Sequence, residues 1–447
     1  MRNDKNLCHK LILPCCRSYP AARQIFNRSI QKFPTSITYC ENKEDVIDAL
    51  CNAVAQGQTV RIRSGGHNYE GYCIGNHVSV IDTSPIKEIK LSENSNIIKV
   101  GSGINNRELY GFLSQYQYPF PSGTCPTVSA TGLTQGGGWG HSARMFGLTC
   151  DNLVEAELIN AKGKLLIANE SSHSDLFWAL RGGGGGNFGV ITSFTYRLPP
   201  KITQVTYVDI EYSQIDEATA FHFFQTWQEW IHHKENRFTP NSRIFNSKED
   251  GLGIFLRGFF YGTPADAAAS IQPFLNISGV KVSLRSVTFQ EAVELDASVY
   301  PEYERFRFAG RFAYGYFSNN QMKSILSMIR NRAKGAVTCS IALYAMGGKV
   351  RDISRCDTAF FYRNADFIIG VETVWEDPSD EPENDSWIDP RFQSLRSLTR
   401  GSYINFPYLC TENYMDAYYG KNAARLIDVK MKYDPDHIFR FPQSIRP

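Results

Sequence analysis

The stretch Arg63-Ser64-Gly65-Gly66-His67-Asn68-Tyr69-Glu70-Gly71 constrains this chain more than any other. It follows the alternating run Val60-Arg61-Ile62-Arg63. Its two adjacent glycines, having no Cβ, let the turn take φ > 0 and lie within van der Waals distance of a planar ring. His67 is then the reactive side chain at the contact. A second element, Gly123-Thr124-Cys125-Pro126-Thr127-Val128, leads into Gly136-Gly137-Gly138-Trp139-Gly140 and sets a thiol beside another surface made of backbone. A flat ligand held at two points is what such loops predict.

At 447 residues the chain is long for one core, so two domains are expected. Hydrophobic residues at 42% and charged residues at 21% are ordinary for a globular protein. The formal net charge is +2, without a long basic or acidic run, which argues against a nucleic-acid partner. No stretch has the length of a membrane span, and Met1 to Cys8 lacks the apolar core of a signal peptide. A cytoplasmic setting is the expectation. The 11 cysteines follow neither metal spacing nor a disulfide framework. Cys8, Cys15 and Cys16 read as structural or surface thiols, with cross-linking in a coat or shell as the minor alternative. His232-His233 and the other histidines lack the spacing of metal ligands, so no metal is expected.

Hydrophobic periodicity predicts a helix over Asn42 to Ala55, with Asp45, Val46, Ala49, Leu50 and Val54 on or near one face. Strands are expected at Thr59–Arg63, Val78–Val80, Ile97–Val100 and Val154–Ile159. The last of these folds through Ala161-Lys162-Gly163-Lys164 onto Leu165–Ala168 as a hairpin. Ser174 reads as the N-cap of a short helix ending at glycine. Val190 to Leu198 alternates as a strand and stops at Pro199-Pro200, where a domain boundary is placed. Beyond it, strands near 205–212, 254–260, 280–287 and 366–375 alternate with helices near 217–231, 264–274 and 322–333. That pattern predicts an α+β second domain with an antiparallel sheet. Neither glycine run sets G-x-G-x-x-G spacing at the opening of a βαβ unit with a downstream acid, and neither carries a Walker lysine, so nicotinamide and ATP are poor guesses.

These motifs resemble the FAD-linked oxidases typified by berberine bridge enzyme and the oligosaccharide oxidases. The run from Asp175 to Val190, Asp175-Leu176-Phe177-Trp178-Ala179-Leu180-Arg181 followed by five glycines and Asn187-Phe188-Gly189-Val190, is similar to a phosphate-proximal loop of that family. Tyr403-Ile404-Asn405-Phe406 and Lys430-Met431-Lys432-Tyr433-Asp434-Pro435 are similar to its C-terminal signature. The resemblance runs nearly end to end and is loosest between 200 and 340, where substrate specificity is expected.

The resemblance implies an α+β fold of the vanillyl-alcohol-oxidase type. An N-terminal segment, 1–33, would precede a PCMH-type FAD-binding domain of two subdomains, 34–199. A substrate-binding domain, 200–400, would carry an antiparallel sheet covered by helices, and segment 401–447 would pack back on the FAD domain. It implies FAD bonded twice, through His67 to the 8α-methyl and through Cys125 to C6. Neutral imidazole is nucleophilic near pH 7 and suits the first bond. Cys125 must react as thiolate, which calls for a nearby dipole or cation. Around these bonds, FAD contacts are expected from Arg63, Ser64, Gly65, Gly66, Asn68 and Tyr69. Further contacts are expected from Thr127, Val128 and Gly132, then from Gly136, Gly137, Gly138, Gly140 and His141. Asn187, Phe188, Gly189, Val190 and Asn405 complete the set, with the glycine amides turned toward the diphosphate.

For chemistry, the resemblance implies hydride transfer from an alcohol or sugar hemiacetal carbon to flavin N5, with a base to take the proton. Tyr403 matches the tyrosine that deprotonates the substrate hydroxyl in the family, and would need its pKa lowered. Glu372 is the second candidate. It lies two residues from Gly370, which falls where plant members carry glutamine or glutamate, and side chains two apart on a strand share a face. Tyr344 and Arg311 are weaker pocket candidates. Val128 matches the position that admits O2, which implies release of hydrogen peroxide. The partners expected are therefore a small-molecule substrate and O2, with the oligomeric state open. Two alternatives share the flavin site: a coat-associated or structural flavoprotein with little turnover, and an oxidase forming bonds in natural products.

Overall fold

A computed structural model describes residues 10–232 and 235–447. The sequence-predicted first helix forms over Lys43–Ala55, where the Asn42 side chain accepts from the Asp45 amide and closes the first turn. It buries Val46, Leu50 and Ala53, one stripe at helical spacing, and leaves Val54 exposed. Beneath it lies a four-stranded sheet in the order Leu11–Ile12, Ser36–Tyr39, Ser79–Asp82, Val60–Arg63. Its last three strands are parallel. The turn carrying His67 leaves the C-terminal end of Val60–Arg63.

A five-stranded antiparallel sheet follows, ordered Ile89–Ser92, Ile97–Gly101, Val190–Arg197, Leu153–Ile159, Leu165–Asn169. The expected hairpin is present, with Ile159 opposite Leu165. The short helix begins at Ser174 itself. The cap position is His173, in the left-handed region at φ 48° and without a side-chain cap bond, so the Ser174 cap expectation is corrected.

Seven antiparallel strands form the third sheet. Their order is Lys281–Val287, Val205–Tyr212, Gly251–Phe260, Asn241–Ser247, Ala336–Ala345, Phe367–Trp375, Arg305–Ala313. Strand alternation divides its residues between two faces. Ile341, Leu343, Phe367, Ile369 and Val371 pack in one core with the helices Glu217–Ile231, Pro264–Leu275 and Glu381–Leu398. Ala342, Tyr344 and Ile368 belong to a second cluster with Phe306, Phe308 and Tyr403. The architecture is thus the α+β one expected, with an antiparallel sheet covered by helices.

The helix expected over 322–333 instead spans Asn319–Ser327. Ser318 and Gln321 form a reciprocal capping box that starts it early. Met328, Ile329 and Ala333 stay buried after the helix has ended, so their spacing reported burial rather than helix. The last helix, Ala423–Tyr433, buries Leu426, Val429 and Lys430 and exposes Met431. Among the described residues no helix is long and apolar enough to cross a membrane, and no cluster of His, Cys, Asp or Glu could hold a metal ion. Cys15 and Cys16 are free thiols. Cys8 and His233 lie outside the described residues.

Candidate active site

A cavity of about 320 Å³ opens between the glycine-lined loops and the inner face of the seven-stranded sheet. His67 and Cys125, 58 residues apart in the chain, meet there on one hydroxyl. His67 Nε2 lies 2.8 Å from Thr127 Oγ1, and Cys125 Sγ lies 3.7 Å from the same oxygen. Loop packing brings them together. Gly66 takes φ +69°, and a Cβ on Gly65 would stand 2.7 Å from the Ser129 amide, so only glycine lets the first loop lie on the second. Phe26 stacks on the imidazole at 4.3 Å between centroids.

Burial pushes the His67 imidazole down to about 3, so the ring is neutral at ordinary pH and keeps a lone pair for bond formation. Burial also pushes the Cys125 thiol up, against the pull of the Thr127 and Val128 backbone amides. Peptide N–H groups rather than a neighbouring cation supply the lowering pull the sequence called for, and burial outweighs it.

Of the sequence-named residues, Ser64, Gly65, Gly66, Asn68, Tyr69, Val128, Gly132, Asn187, Gly189, Asn405 and Glu372 line this cavity with His67 and Cys125. Others stand behind its wall. Arg63 pairs with Asp82 in the core. Thr127 bridges the two reactive groups. Phe188 and Val190 are core residues.

The run Gly136, Gly137, Gly138 and Gly140 needs correction as a set of diphosphate donors. The Gly138 amide already donates to Tyr403 Oη at 3.0 Å. Added Cβ atoms would strike Asn405 at Gly136, Phe360 at Gly137, Thr149 at Gly138 and the Ser122 carbonyl at Gly140. These glycines permit close packing of the chain on itself. The cavity is met instead by Gly184, Gly185 and Gly186. His141 is likewise buried elsewhere, its ring nitrogens 3.0 Å from the Thr239 carbonyl and 3.2 Å from Asp296.

Tyr403 also stands outside the cavity lining. Its phenol oxygen accepts from the Gly138 and Trp139 amides at 3.0 and 3.1 Å and from Asn405 Nδ2 at 3.0 Å. Burial pushes it up to about 12, opposite to the lowering that a base requires. The residue that reaches the cavity from this segment is Phe406, stacked on Tyr69 at 5.2 Å. Arg311 is turned to Thr399 and Ser402. A side chain at Gly370 would collide with the Phe308 ring, its Cβ 2.2 Å from the nearest ring carbon, so an aromatic fills that space.

Three positions that the sequence left unmarked, Arg243, Tyr300 and Glu304, complete the wall. Arg243 donates to Glu372 Oε2 at 3.1 Å and to Tyr344 Oη at 2.6 Å, and Ser340 Oγ adds a bond to Glu372 at 2.9 Å. Tyr300 Oη is 2.7 Å from Thr124 Oγ1, beside Cys125. Pairing across strands positions Arg243, Ser340 and Glu372: Ala342 faces both Arg243 and Gly370, and Glu372 faces Ser340.

The cavity suits FAD. Its lining carries Arg61, Tyr72 and Ser102, and the Arg61 Nε, Tyr72 hydroxyl and Ser102 hydroxyl are buried without a hydrogen-bond partner, the state of donors awaiting a polar ligand. Residues 34–169 match the FAD binding domain family, and residues 402–446 match the family described as berberine and berberine like. The FAD-linked oxidoreductase YgaK of Bacillus subtilis is 33% identical over 96% of this chain and 95% of its own. BBE-like 1 of Physcomitrella patens superposes with a TM-score of 0.90 at 24% identity, over 98% of this chain and 96% of that one. A glucooligosaccharide oxidase of Acremonium strictum, described with a 6-S-cysteinyl, 8α-N1-histidyl FAD, superposes with a TM-score of 0.89 at 20% identity, over 98% and 97%. The chain is an enzyme and belongs to the berberine bridge enzyme-like family of FAD-linked oxidoreductases.

Proposed function

We propose that the enzyme is an oxidase of a hydroxyl-bearing carbon, an alcohol or a sugar hemiacetal, and that it holds FAD through bonds from both His67 and Cys125. The observation that supports this reading is the convergence of a neutral imidazole and a thiol on the Thr127 hydroxyl. Bound FAD supplies the two-electron oxidant, which dioxygen regenerates with release of hydrogen peroxide.

The chain's own residues then have three tasks. Tyr69, Phe306 and Phe406 wall the substrate end with ring faces and edges, which suits a sugar ring or another flat, partly apolar body. Arg243, Tyr344 and Glu372 form a fixed polar chain that orients a hydroxyl. Val128 lines the cavity with Cys125, and its small side chain would leave room for oxygen.

Acid-precipitated protein should stay yellow, and tryptic peptides containing His67 and Cys125 should both carry the flavin mass. The His67→Ala/Cys125→Ala variant should release its colour into the supernatant. Colour that washes out of the wild type would reject the double attachment. Absence of peroxide from holoenzyme given oligosaccharides and simple alcohols would reject the oxidase.

A further inference from the structure

Two carboxylates face the cavity, and their surroundings are opposite. Glu372 is held by the Arg243 guanidinium and the Ser340 hydroxyl. Glu304 precedes the edge strand Arg305–Ala313. Its backbone is pinned, the amide donating to the Phe26 carbonyl at 3.1 Å and the carbonyl accepting from the Arg28 amide at 2.8 Å. Its carboxyl receives a hydrogen bond from none of the described residues, although it lines the cavity beside Phe26, Pro301 and Phe306. A fixed stem bearing an unsatisfied carboxyl in an aromatic-walled cleft is a proton acceptor in want of a donor.

We propose that Glu304 is the catalytic base, taking the proton of the substrate hydroxyl while Glu372 remains committed to Arg243. The idea rests on the oxidase reading above. In the step, the O–H bond breaks and its proton passes to Glu304. The freed electron pair would become the second C–O bond as the hydrogen left carbon with the C–H electron pair, a hydride that bound FAD would accept. Substrate is oxidised by two electrons and the flavin is reduced by two.

The charge environment fits. Burial, and then Glu372, push the Glu304 carboxyl up to about 8, with Arg243 opposing. The other ionisable groups around it are Tyr303 and Arg305 beside it in the chain, Arg28 from the N-terminal segment, His67, Tyr69 and Cys125 from the flavin loops, and Tyr300 and Tyr344. A raised carboxyl beside one held in an ion pair gives the two groups separate roles.

The test uses flavin-loaded wild type, Glu304→Gln and Glu304→Asp, each checked for retained flavin absorbance. Cellobiose, lactose and benzyl alcohol serve as probes for peroxide release. Wild-type kcat/KM should rise with pH toward a plateau above about 8. Glu304→Gln should lose about 100-fold or more at the plateau, in the range of a general base, and lose the rise. Glu304→Asp should keep the rise at a lower rate. Infrared titration of the holoenzymes gives a readout independent of turnover: a protonated-carboxyl band that fades as pH passes about 8 in wild type and is absent in Glu304→Gln. Unimpaired turnover of Glu304→Gln, or persistence of that band in it, overturns the base role alone. If flavin-loaded wild type oxidises none of the probes, the oxidase reading falls and the base role falls with it.

Discussion

Replacing Lys430 by methionine should unfasten the C-terminal segment from the flavin site. Lys430 and Asp434 are both fully buried, one helical turn apart. The Lys430 ammonium spends all three donors, on Asp434 Oδ2 at 2.7 Å, the Asn187 carbonyl at 2.6 Å and the Phe439 carbonyl at 2.7 Å. Asn187 lines the cavity, and its side chain in turn ties Gly183 and Gly184 to Ile445. Burial pushes the Lys430 ammonium below its usual range in spite of Asp434, so the pair as a whole is no great stabiliser.

Breaking one side is another matter, because methionine leaves a carboxylate without its cation and two carbonyls without a donor. Removing one partner of a buried pair costs about 3–5 kcal/mol, which makes the opening of the Asn187 loop about 1000-fold more frequent for ~4 kcal/mol. Hydrogen exchange read by mass spectrometry over 182–190 measures that opening directly. Lys430→Met/Asp434→Asn removes the orphaned charge and keeps an oxygen for one of the Ile438 and Phe439 amides, which bond separate oxygens of Asp434, and should recover at least about 1 kcal/mol of the loss. A loss below about 1 kcal/mol in the single variant, or a double variant no better than the single, would refute the reasoning.

Other outcomes follow from the same geometry. Gly140→Ala sets a Cβ 1.7 Å from the Ser122 carbonyl. It should cost about 3 kcal/mol or more in thermal denaturation, as overpacking against backbone does, and lower the yield of flavin-loaded protein. Gly111→Ala, inside the helix Asn106–Ser114 with nothing within 4 Å, should instead stabilise by about 0.8–1 kcal/mol in the same assay. Tyr403→Phe should keep kcat within a few-fold and lose about 1–3 kcal/mol of stability, because two buried amides lose their acceptor; a collapse of kcat with stability intact would restore the tyrosine as base. Glu304 titrates higher in the fold than its ordinary 4.5, so the stability it contributes is full below 4.5 and is lost as pH rises through about 8. The melting temperature of wild type should therefore fall across that window, and that of Glu304→Gln should fall less.

Much of the flavin end was legible in the chain because its signals are local. Gly65, Gly66 and His67 occur in one turn, and Thr127 stands two residues from Cys125, so short motifs carried most of the geometry. The glycine run at 136–140 misled for a physical reason. A glycine serves a ligand's approach and a neighbouring chain's approach equally, and sequence does not say which; here the neighbours are Asn405, Phe360, Thr149 and Ser122. Tyr403 misled in a similar way, since a phenol beside the cavity and a phenol behind it read alike, and three donors aimed at its oxygen decide the matter.

The sequence by itself determined the family, the FAD cofactor and the two glycine-lined loops, each of which rests on residues close together in the chain. The sequence named Tyr344 and Glu372 as candidates, but only tertiary structure decided what faces the cavity with them. Arg243, Glu304, Tyr344 and Glu372 come from four separate segments. Strand register and the alternation of faces bring Arg243, Tyr344 and Glu372 to one wall, and burial pushes the Glu304 carboxyl up beside them. None of these quantities exists before the seven-stranded sheet has formed.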